Sequence, residues 1–541
     1  MSTAPAHDVS SGRTPDEGSA GHEWRRGRFP SLMRRRIEEV LLVSSPYDAF
    51  ILEEDGLLTE KISAEYLDLG LTHAPNVTRV STGEEALEAI RSGPFDLVIT
   101  LLRLGDMDAA RFTQAVRQLK PDLPLVLLVA NEWELARLTK QERALNVDSI
   151  YVWHGDTKVF LAIVKAFEDR VNAEHDTRSG DVGVIIVVED SVRFRSSLLP
   201  IIYSQLVKQT RAVMADGLNH MDKLLRQTAR PKVLLAETYE QGLELYRRYK
   251  KYLLGVISDV SYPHGGVQDP QAGLAFLREI RRELPDLPAL LQSSDVSNAQ
   301  VAEQLGVSFL HKRSATLLED VRNFMLENFG FGDFAFRMPD GREVARAGDL
   351  RSMARVLREV PVESIEYHAR HHHFSTWLRA RTEFALARRM RPRRVSEFRD
   401  LEAIRRYLIR GINDTLRQNR RGVVEDFSRE RFDAGCGFAR IGGGSLGGKA
   451  RGLAFADALL ARANLDQEFP GIQVHVPRSV VIGTDVFDEF LGANRINLSV
   501  LLAGDDREIT RTFLAAKLPD DVVRNLRAYL DTVRDPVAVR S

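Results

Sequence analysis

The sequence predicts an α/β protein in which two consecutive copies of one unit each contain a five-stranded parallel sheet. Two observations support this prediction. Between residues 37 and 178, short apolar runs alternate with longer amphipathic stretches, a pattern typical of strands and helices that alternate around a parallel sheet. The same rhythm starts again at residue 182 and continues to residue 330, which indicates a repeat on the scale of a domain.

Each unit has five predicted strands. Those of the first unit (residues 37–178) are Val40–Val43, Val77–Val80, Leu97–Leu101, Leu125–Val129 and Ile150–Val152. Those of the second unit (residues 182–330) are Gly183–Val188, Lys232–Ala236, Leu253–Ser258, Ala289–Gln292 and Ser308–His311. Gly83–Arg91 and Ala109–Leu119 are predicted helices. Residues 1–36 are rich in Ser, Gly, Pro and charge and are predicted to form a disordered tail.

The second unit carries polar residues where its predicted strands end. Glu189 and Asp190 follow the first strand, Asp259 the third, Ser293 the fourth and Lys312 the fifth. The carboxyl ends of parallel strands meet at one edge of a sheet, where ligands bind. Carboxylates are suitable ligands for Mg²⁺, a hydroxyl and an ammonium can bind phosphoryl oxygens, and a carboxylate can act as a nucleophile. The pattern predicts Mg²⁺-dependent transfer of a phosphoryl group to Asp259.

This arrangement resembles the receiver domain of bacterial response regulators, which has a flavodoxin-like fold. The resemblance implies that Asp259 is the phosphoacceptor, that Glu189, Asp190 and Asp259 hold Mg²⁺, and that a sensor histidine kinase is the phosphodonor. Two departures stand out. Asp259 lies 69 residues after Asp190, which indicates a lengthened helix or an added surface near residues 211–230, and Arg313 replaces the usual proline after the lysine.

The first unit resembles the same family in Ser81–Leu87 and Phe95–Ile99 but lacks its chemistry. The positions of the acidic pair, the acceptor, the hydroxyl and the lysine fall on Ser44-Ser45, Thr100 or Leu101, Val129 and Trp153. Asp106 and Asp108 are the nearby acids. We therefore expect a pseudo-receiver that binds neither Mg²⁺ nor phosphate. It would act as a docking or dimerising surface, or as a plain spacer.

Residues 331–430 are predicted to be a helical connector rich in arginine. A histidine group (His368, His371, His372 and His373) has spacing compatible with a metal site. An arginine group could bind phosphate or nucleic acid: Arg379, Arg381, Arg388, Arg389, Arg391, Arg393 and Arg394. We favour a signalling connector over both, because arginine runs on helices are usually solvated. The aromatic residues Phe374, Trp377 and Phe384 are expected to be core.

A glycine-rich segment, Ile441–Gly452, allows three motif matches. A P-loop would need Ser or Thr at Ala450, and a Rossmann turn would need an acid where Pro477 and Arg478 stand. The third match is better. Gly447-Gly448-Lys449 before a helix, with Val476–Asp485 and Ala538–Ser541, resembles the start of the ATP-binding domain of pyruvate, phosphate dikinase and phosphoenolpyruvate synthase.

That resemblance covers residues 431–541 and implies the beginning of an ATP-grasp-like α+β domain. It implies that Gly447, Gly448, Lys449 and Arg540 contact ATP. Gln473–Val476 and Val537–Val539 are predicted strands, the latter buried, and we expect the sequence to be cut inside this domain. A longer parent protein would use ATP with pyruvate or phosphoenolpyruvate, whereas this chain alone would be inactive.

Composition limits the alternatives. Hydrophobic residues make up 44% and charged residues 28% of the 541 residues, and the net charge is −1, so membrane association is not expected and nucleic-acid binding is disfavoured. No apolar run approaches the roughly 18 residues of a membrane helix. The single cysteine, Cys436, indicates a reducing compartment, which we take to be the cytoplasm. The favoured function is a phosphorelay protein that regulates an ATP-binding kinase domain. The alternative is a non-enzymatic response regulator whose connector binds a protein or DNA.

Overall fold

The computed structural model describes residues 32–48, 58–68, 74–138, 145–391, 395–433, 435–463, 471–472, 474–497 and 505–540, and the single residues 465, 469 and 499. The chain divides into two compact units. The first contains the described residues up to Val213, with Leu225–Arg346 and Glu363–Arg399. The second contains Met214–Leu224, Ala347–Val362 and the described residues from Asp400 onward. Residues 1–31 of the predicted tail lie outside the described residues. The prediction of disorder is wrong for Leu32 and Met33, which are buried, and the Met33 N–H donates to Asp176.

Domain A is the first of two α/β domains in the first unit. Its strands are β1 (Glu39–Val43), β2 (Asn76–Val80), β3 (Leu97–Leu101), β4 (Leu125–Val129) and β5 (Ser149–Val152). Its helices are α1 (Leu58–Asp68), α2 (Gly83–Ser92), α3 (Ala109–Leu119), α4 (Glu132–Leu138) and α5 (Lys158–Gly180). All pairings are parallel, in the order β2-β1-β3-β4-β5. Every residue of β3 and β4 is buried, which explains their unbroken apolar sequence.

Domain B repeats this topology. Its sheet contains β6 (Val184–Val188), β7 (Lys232–Ala236), β8 (Leu253–Asp259), β11 (Ala289–Ser293) and β12 (Ser308–His311), in the order β12-β11-β8-β6-β7. A hairpin of β9 (Tyr262–His264) and β10 (Val267–Asp269) follows β8. Both sheets have the flavodoxin-like strand order, 2-1-3-4-5. The predicted fold class is confirmed for the tandem domains, and the ten predicted strands are confirmed to within one residue.

The helices of domain B account for its unusual length between Asp190 and Asp259. They are α6 (Val192–Ala215), α7 (His220–Thr228), α8 (Tyr239–Tyr249), α9 (Ala272–Glu283), α10 (Asn298–Gln304) and α11 (Leu317–Asn328). The end of α6 and the first half of α7 fall in the segment Met214–Leu224, which is assigned to the second unit. Helix α6 has 24 residues, and α7 follows it before β7. The long gap in the sequence therefore corresponds to an extended helix and an additional short one.

Domains A and B share one hydrophobic core. A continuous cluster of buried side chains contains residues of β1, β3 and α5 from domain A together with residues of β6, α6 and α11 from domain B. Burial of a large aliphatic or aromatic side chain contributes about 1.5–3 kcal/mol. Because so many of these side chains lie in one cluster, the two domains stabilise each other.

A buried network of charges lies at the same interface. It consists of three cations and three anions, none more than 9% exposed: Lys165, Arg230, Lys232, Glu168, Asp169 and Asp176. Arg230 of domain B donates to the Asp169 carboxylate at 3.0 Å, and Lys232 lies 2.9 Å from the Asp176 carboxylate. Buried ions are tolerated only when each has a partner, so this network fixes how α5 meets β7.

The rest of the first unit follows domain B. It contains α13 (Val362–Arg370), α14 (His373–Ala380) and α15 (Phe384–Met390). The connector region also forms a two-stranded sheet of β13 (Phe334–Arg337) and β14 (Glu343–Ala347), which the sequence analysis did not predict. Phe374, Trp377 and Phe384 are buried, as expected for core residues.

The second unit combines helices with a three-stranded parallel sheet, β15 (Glu425–Asp426), β16 (Phe438–Ile441) and β17 (Ser479–Ile482). Its helices are α12 (Leu350–Glu359), α16 (Leu401–Arg420), α17 (Gly447–Ala463), α18 (Thr484–Ala493), α19 (Asp506–Ala515) and α20 (Asp520–Thr532). Among the described residues, no helix has the length and apolarity required to cross a membrane.

Two predicted strands of this unit are wrong. Val537–Val539 is not a strand, and Val539 is 95% exposed. Val474–Val476 is not a strand either, and Gln473 lies outside the described residues. Apolar character makes a strand only where a neighbouring strand accepts its hydrogen bonds. Within the described part of this unit, β16 pairs with β15 and β17 instead.

Candidate functional site: the acidic edge of domain B

Three carboxylates converge at the carboxyl edge of the domain B sheet. Glu189 and Asp190 follow β6, and Asp259 ends β8, its central strand. Their closest oxygen atoms all lie within 4.8 Å of one another, and this is the one such group of three potential metal ligands among the described residues. Two oxygens that bind the same Mg²⁺ lie at most about 4 Å apart. The three side chains therefore fit Mg²⁺ after a small adjustment.

Lys312 links two of these carboxylates. It follows β12, and its Nζ lies 2.6 Å from Glu189 Oε2 and 2.7 Å from Asp259 Oδ2. The ammonium also lies 4.2 Å from the centre of the Phe194 ring. The other oxygen of Asp259, Oδ1, accepts the Val260 N–H at 2.7 Å. Asp259 is thus held at both oxygens, with its side chain at the rim of the sheet.

Ser293 lies beside Asp259 because β11 pairs with β8, with Gln292 opposite Asp259. Its Oγ accepts hydrogen bonds from the Asn298 side chain and from the Asp295 N–H, both at 3.0 Å. A hydroxyl has two acceptor positions and one proton. With both acceptor positions used, the Ser293 hydroxyl can donate its proton to an oxygen of a bound group.

Gln268 is part of the site that the sequence analysis missed. Its side-chain amide, in β10, donates to Asp190 Oδ2 at 3.1 Å and to Ser261 Oγ at 3.2 Å. The hairpin that carries Gln268 is attached to α8, since Tyr239 stacks on His264 at 4.1 Å and Glu240 accepts the Gly265 N–H. Nothing in the sequence spacing indicates this contact, because it depends on how the hairpin folds back.

The acidic residues have shifted proton affinities. Burial raises the pKa of Glu189 to about 7, since the favourable charge of Lys312 only partly offsets desolvation and Asp259 adds repulsion. Burial also raises the pKa of Asp190, although the hydrogen bond from Gln268 acts to lower it. A carboxyl group must lose its proton to bind a metal, so protons would compete with a Mg²⁺ ion at Glu189.

We therefore expect Mg²⁺ affinity to fall by about tenfold between pH 8 and pH 6, because Glu189 passes from mostly ionised to mostly protonated over that range. Calorimetric titration with Mg²⁺ at several pH values measures this change. Glu189→Gln should bind Mg²⁺ weakly and with little pH dependence over the same range. A constant affinity in the unmodified protein between pH 6 and pH 8 would contradict the prediction.

The matching edge of domain A has a different composition. In domain B, Ser258 pairs with Val188 and Asp259 follows it. In domain A, Thr100 pairs with Val43, so Leu101 occupies the position of Asp259. By the same register, the acidic pair of domain B corresponds to Ser44-Ser45. Ser293 corresponds to Val129, and Lys312 corresponds to Trp153. The sheet register thus selects Leu101 over Thr100, and an apolar residue stands at the position that Asp259 occupies in domain B.

Asp106 and Asp108, the acids nearest to that edge, serve as helix caps. Asp106 accepts the N–H groups of Gly83 and Glu84 at 2.7 and 2.9 Å, and Asp108 accepts the Arg111 N–H at 2.7 Å. Carboxylates at helix N-termini satisfy free N–H groups. Both side chains therefore have a structural role.

The histidine group is packed into the first unit. His368 Nε2 accepts the Arg337 N–H at 2.7 Å, and its Nδ1 lies 2.9 Å from His373 Nδ1. Burial lowers the pKa of His368 to about 3 and that of His373 to about 4, so both rings are neutral at pH 7. Both nitrogens of His368 have partners, and the metal interpretation of this group gains no support.

Several arginines of the connector region also have structural contacts. Arg379 donates to the Lys251 carbonyl at 3.1 Å, Arg381 donates to the Gly332 carbonyl at 3.1 Å, and Arg388 lies 2.8 Å from Asp181. These contacts lie within the first unit and account for three of the charges. Arg393 and Arg394 lie outside the described residues.

The glycine-rich loop falls into two parts. A Cβ at Gly443 or Gly444 would lie 2.4 or 2.1 Å from the Asp485 carboxylate, so these glycines allow close packing against α18. A Cβ at Gly447 or Gly448 would meet no atom within 4 Å. Lys449 is exposed in the first turn of α17, and Arg540 is exposed in the segment after α20. Their assignment to ATP stays a prediction.

Comparisons with known proteins found similar structures but no sequence family. No protein-family model matches the chain, and no curated protein matches it. One similar structure is the receiver domain of a sensor histidine kinase from Pseudomonas aeruginosa PAO1 with magnesium in its active-site cleft, at 19% identity and a TM-score of 0.19, covering 24% of this chain and 97% of that one.

Two further structures are similar. One is a two-component system response regulator/GGDEF domain protein, at 17% identity and a TM-score of 0.24, covering 53% of this chain and 96% of that one. The other is a redox sensor of streptococci evolved from two-component response regulators, at 16% identity and a TM-score of 0.21, covering 46% and 90%. These values are too low to assign a function to the chain.

Proposed function

We propose that domain B is a receiver of the two-component type that is phosphorylated on Asp259 by a sensor histidine kinase. The observation that carries this proposal is the convergence of Glu189, Asp190, Asp259 and Lys312 at one edge of the sheet. In this proposal the three carboxylates hold Mg²⁺, which neutralises charge on the phosphoryl group when it is bound.

In the proposed reaction, one carboxylate oxygen of Asp259 attacks phosphorus. The bond between phosphorus and the leaving group breaks, the bonding electrons leave with that group, and an acyl phosphate forms on Asp259. The leaving group is the imidazole nitrogen of a phosphohistidine or, with a small donor, acetate. Lys312 and the Ser293 hydroxyl would bind the new phosphoryl oxygens, since Ser293 ends β11, which pairs with the strand of Asp259, and the Lys312 Nζ lies 2.7 Å from Asp259 Oδ2.

The test is incubation of the chain with acetyl phosphate, with and without Mg²⁺, followed by intact-mass measurement. We expect a mass gain of one phosphoryl group that requires Mg²⁺ and is lost in Asp259→Ala. Asp122→Ala, which removes an exposed acid of domain A, is the control and should behave like the unmodified chain. An equal mass gain in Asp259→Ala would disprove the assignment.

We further propose that domain B regulates an ATP-binding domain of the phosphoenolpyruvate synthase type, which begins at residues 431–541. Support comes from the open space around Gly447 and Gly448 at the start of α17, since backbone N–H groups at a helix N-terminus attract phosphate. With Lys449 exposed, we expect ATP to bind with a Kd of about 1 mM, which corresponds to about −4 kcal/mol.

Calorimetry with ATP tests this second proposal. Lys449→Ala should weaken binding, whereas Lys517→Ala, which also removes an exposed lysine of the second unit, should not. If the two variants bind ATP equally well, Lys449 is not a phosphate ligand.

A further inference from the structure

The first turn of α6 lies against the acidic edge of domain B. The helix begins at Val192, two residues after Asp190. Within this turn, the Phe194 ring faces the Lys312 ammonium at 4.2 Å, a cation–π contact. Lys312 in turn bridges Glu189 and Asp259. Phe194 therefore helps to fix where the ammonium lies.

The same turn covers the edge of the domain A sheet. Strand β5 is at the edge of that sheet, and its outward-facing backbone groups bond to α6. The Val152 N–H donates to Ser196 Oγ at 2.9 Å, and Arg195 donates to the Ile150 carbonyl at 3.1 Å. Edge groups of a sheet need such partners when they are buried.

Both sets of contacts are held firmly. Arg195 is 3% exposed and forms an ion pair with Glu237. A buried charge needs such partners, so Arg195 is held in place by Glu237 and by the Ile150 carbonyl. Ser196 Oγ also donates to the Val192 carbonyl at 2.7 Å, and Val192 packs against the core cluster that contains Ile150 and Val152. Phe194, Arg195 and Ser196 are consecutive residues of one helical turn, so a shift of Phe194 shifts the two residues that hold β5.

Phosphorylation would change the partners of Lys312. A phosphoryl group on Asp259 offers new anionic oxygens to the ammonium, which in the present state lies on two carboxylates and the Phe194 ring. Any movement of Lys312 away from Phe194 alters the packing of the first turn of α6. By the reciprocity of coupled equilibria, a change at the β5 edge also alters the acidic site.

We propose that domain A regulates the Asp259 site through the first turn of α6, in which Phe194 is a positioning residue for Lys312. The inference rests on the proposed function of Asp259 as phosphoacceptor. Under this inference, domain A has a role that requires no phosphoacceptor in domain A. The effect of domain A on domain B is a change in the phosphorylation of Asp259 rather than a separate activity.

The first test uses beryllium fluoride, a phosphoryl analogue, with Mg²⁺ and the full chain. Adduct formation is followed by fluorine NMR, and amide hydrogen exchange is measured across Ser149–Trp153. We expect the exchange rate there to change by about fivefold when the adduct forms, with no adduct and no change in Asp259→Ala. Failure to form an adduct would overturn the proposed function itself. An adduct with unchanged exchange would overturn the inference and leave the proposed function in place.

The second test runs in the opposite direction. The variant Ser196→Ala removes the acceptor of the Val152 N–H. The control is Ser197→Ala, which removes the hydroxyl of the next residue. That hydroxyl donates to the Arg193 carbonyl of the same helix. With acetyl phosphate and saturating Mg²⁺, we expect the phosphorylation rate to change by about fivefold in Ser196→Ala and to be unaltered in Ser197→Ala. Equal rates in the two variants, with both folded by circular dichroism, would overturn the inference.

Discussion

Replacement of Asp169 by alanine is expected to lower the free energy of unfolding by about 3–5 kcal/mol, the range for removing one partner of a buried ion pair. Asp169 has no solvent exposure, and its carboxylate accepts from Arg230, the Tyr203 hydroxyl and the Val233 N–H at 2.9–3.1 Å. The substitution leaves Arg230 buried without its main counter-ion. Urea unfolding, followed by circular dichroism, measures the loss.

Glu174→Ala is the matched control for this prediction. Glu174 lies on the same helix, α5, but its partner Arg178 is 71% exposed, so the pair contributes less than about 1 kcal/mol. If Asp169→Ala does not fold, Asp169→Asn keeps the shape of the side chain and should still lose more stability than the control. Equal unfolding midpoints for the Asp169 and Glu174 variants would show that the buried network contributes nothing.

The second large effect is expected for Gly273→Ala, which should slow phosphorylation of Asp259 by about 100-fold. A Cβ at residue 273 would lie 1.9 Å from the backbone carbonyl oxygen of Asp259 and 2.9 Å from Val260 Cα. Backbone cannot move aside as a flexible side chain can, so α9 and β8 must separate. A misplacement of about 1 Å at a reacting group is enough for an effect of this size.

Gly492→Ala serves as the control. It also replaces a helical glycine, in α18, but the added Cβ would meet no atom within 4 Å. We expect it to stabilise the chain by about 0.5–1 kcal/mol and to leave the phosphorylation rate unchanged. The rates come from the same acetyl phosphate assay, and overpacking should also lower the stability of Gly273→Ala by about 1–3 kcal/mol. Phosphorylation of Gly273→Ala at the normal rate would contradict the prediction.

The parts of the fold that follow from local pattern were predictable. Strands such as Leu97–Leu101 and Leu125–Val129 are buried on both faces, so each reads as an unbroken apolar run with clear ends. The candidate site was predictable for the same reason, since Asp259 and Lys312 stand where such runs stop. Chain order and strand ends together indicate which side chains meet at one edge of a parallel sheet.

Features that depend on distant contacts were not predictable. Asp169 and Arg230 are 61 residues apart in the sequence, and the residues around each of them carry no signal that predicts this contact. The Gln268 contact depends on a hairpin fold. Val537–Val539 shows the opposite error, since its apolar residues satisfied the local pattern but have no strand to pair with among the described residues.

The buried charges also bear on how the protein is synthesised. At about 5–20 residues per second, Arg230 leaves the ribosome about 3–12 s after Asp169. Until then, the face of α5 that will meet domain B carries Asp169 and Asp176, whose partners Arg230 and Lys232 have not yet been made and which water can solvate. A nascent domain A therefore presents acidic groups beside its unfinished apolar surface, and these groups discourage association with neighbouring chains on the same messenger. Their desolvation is delayed until their partners have been made.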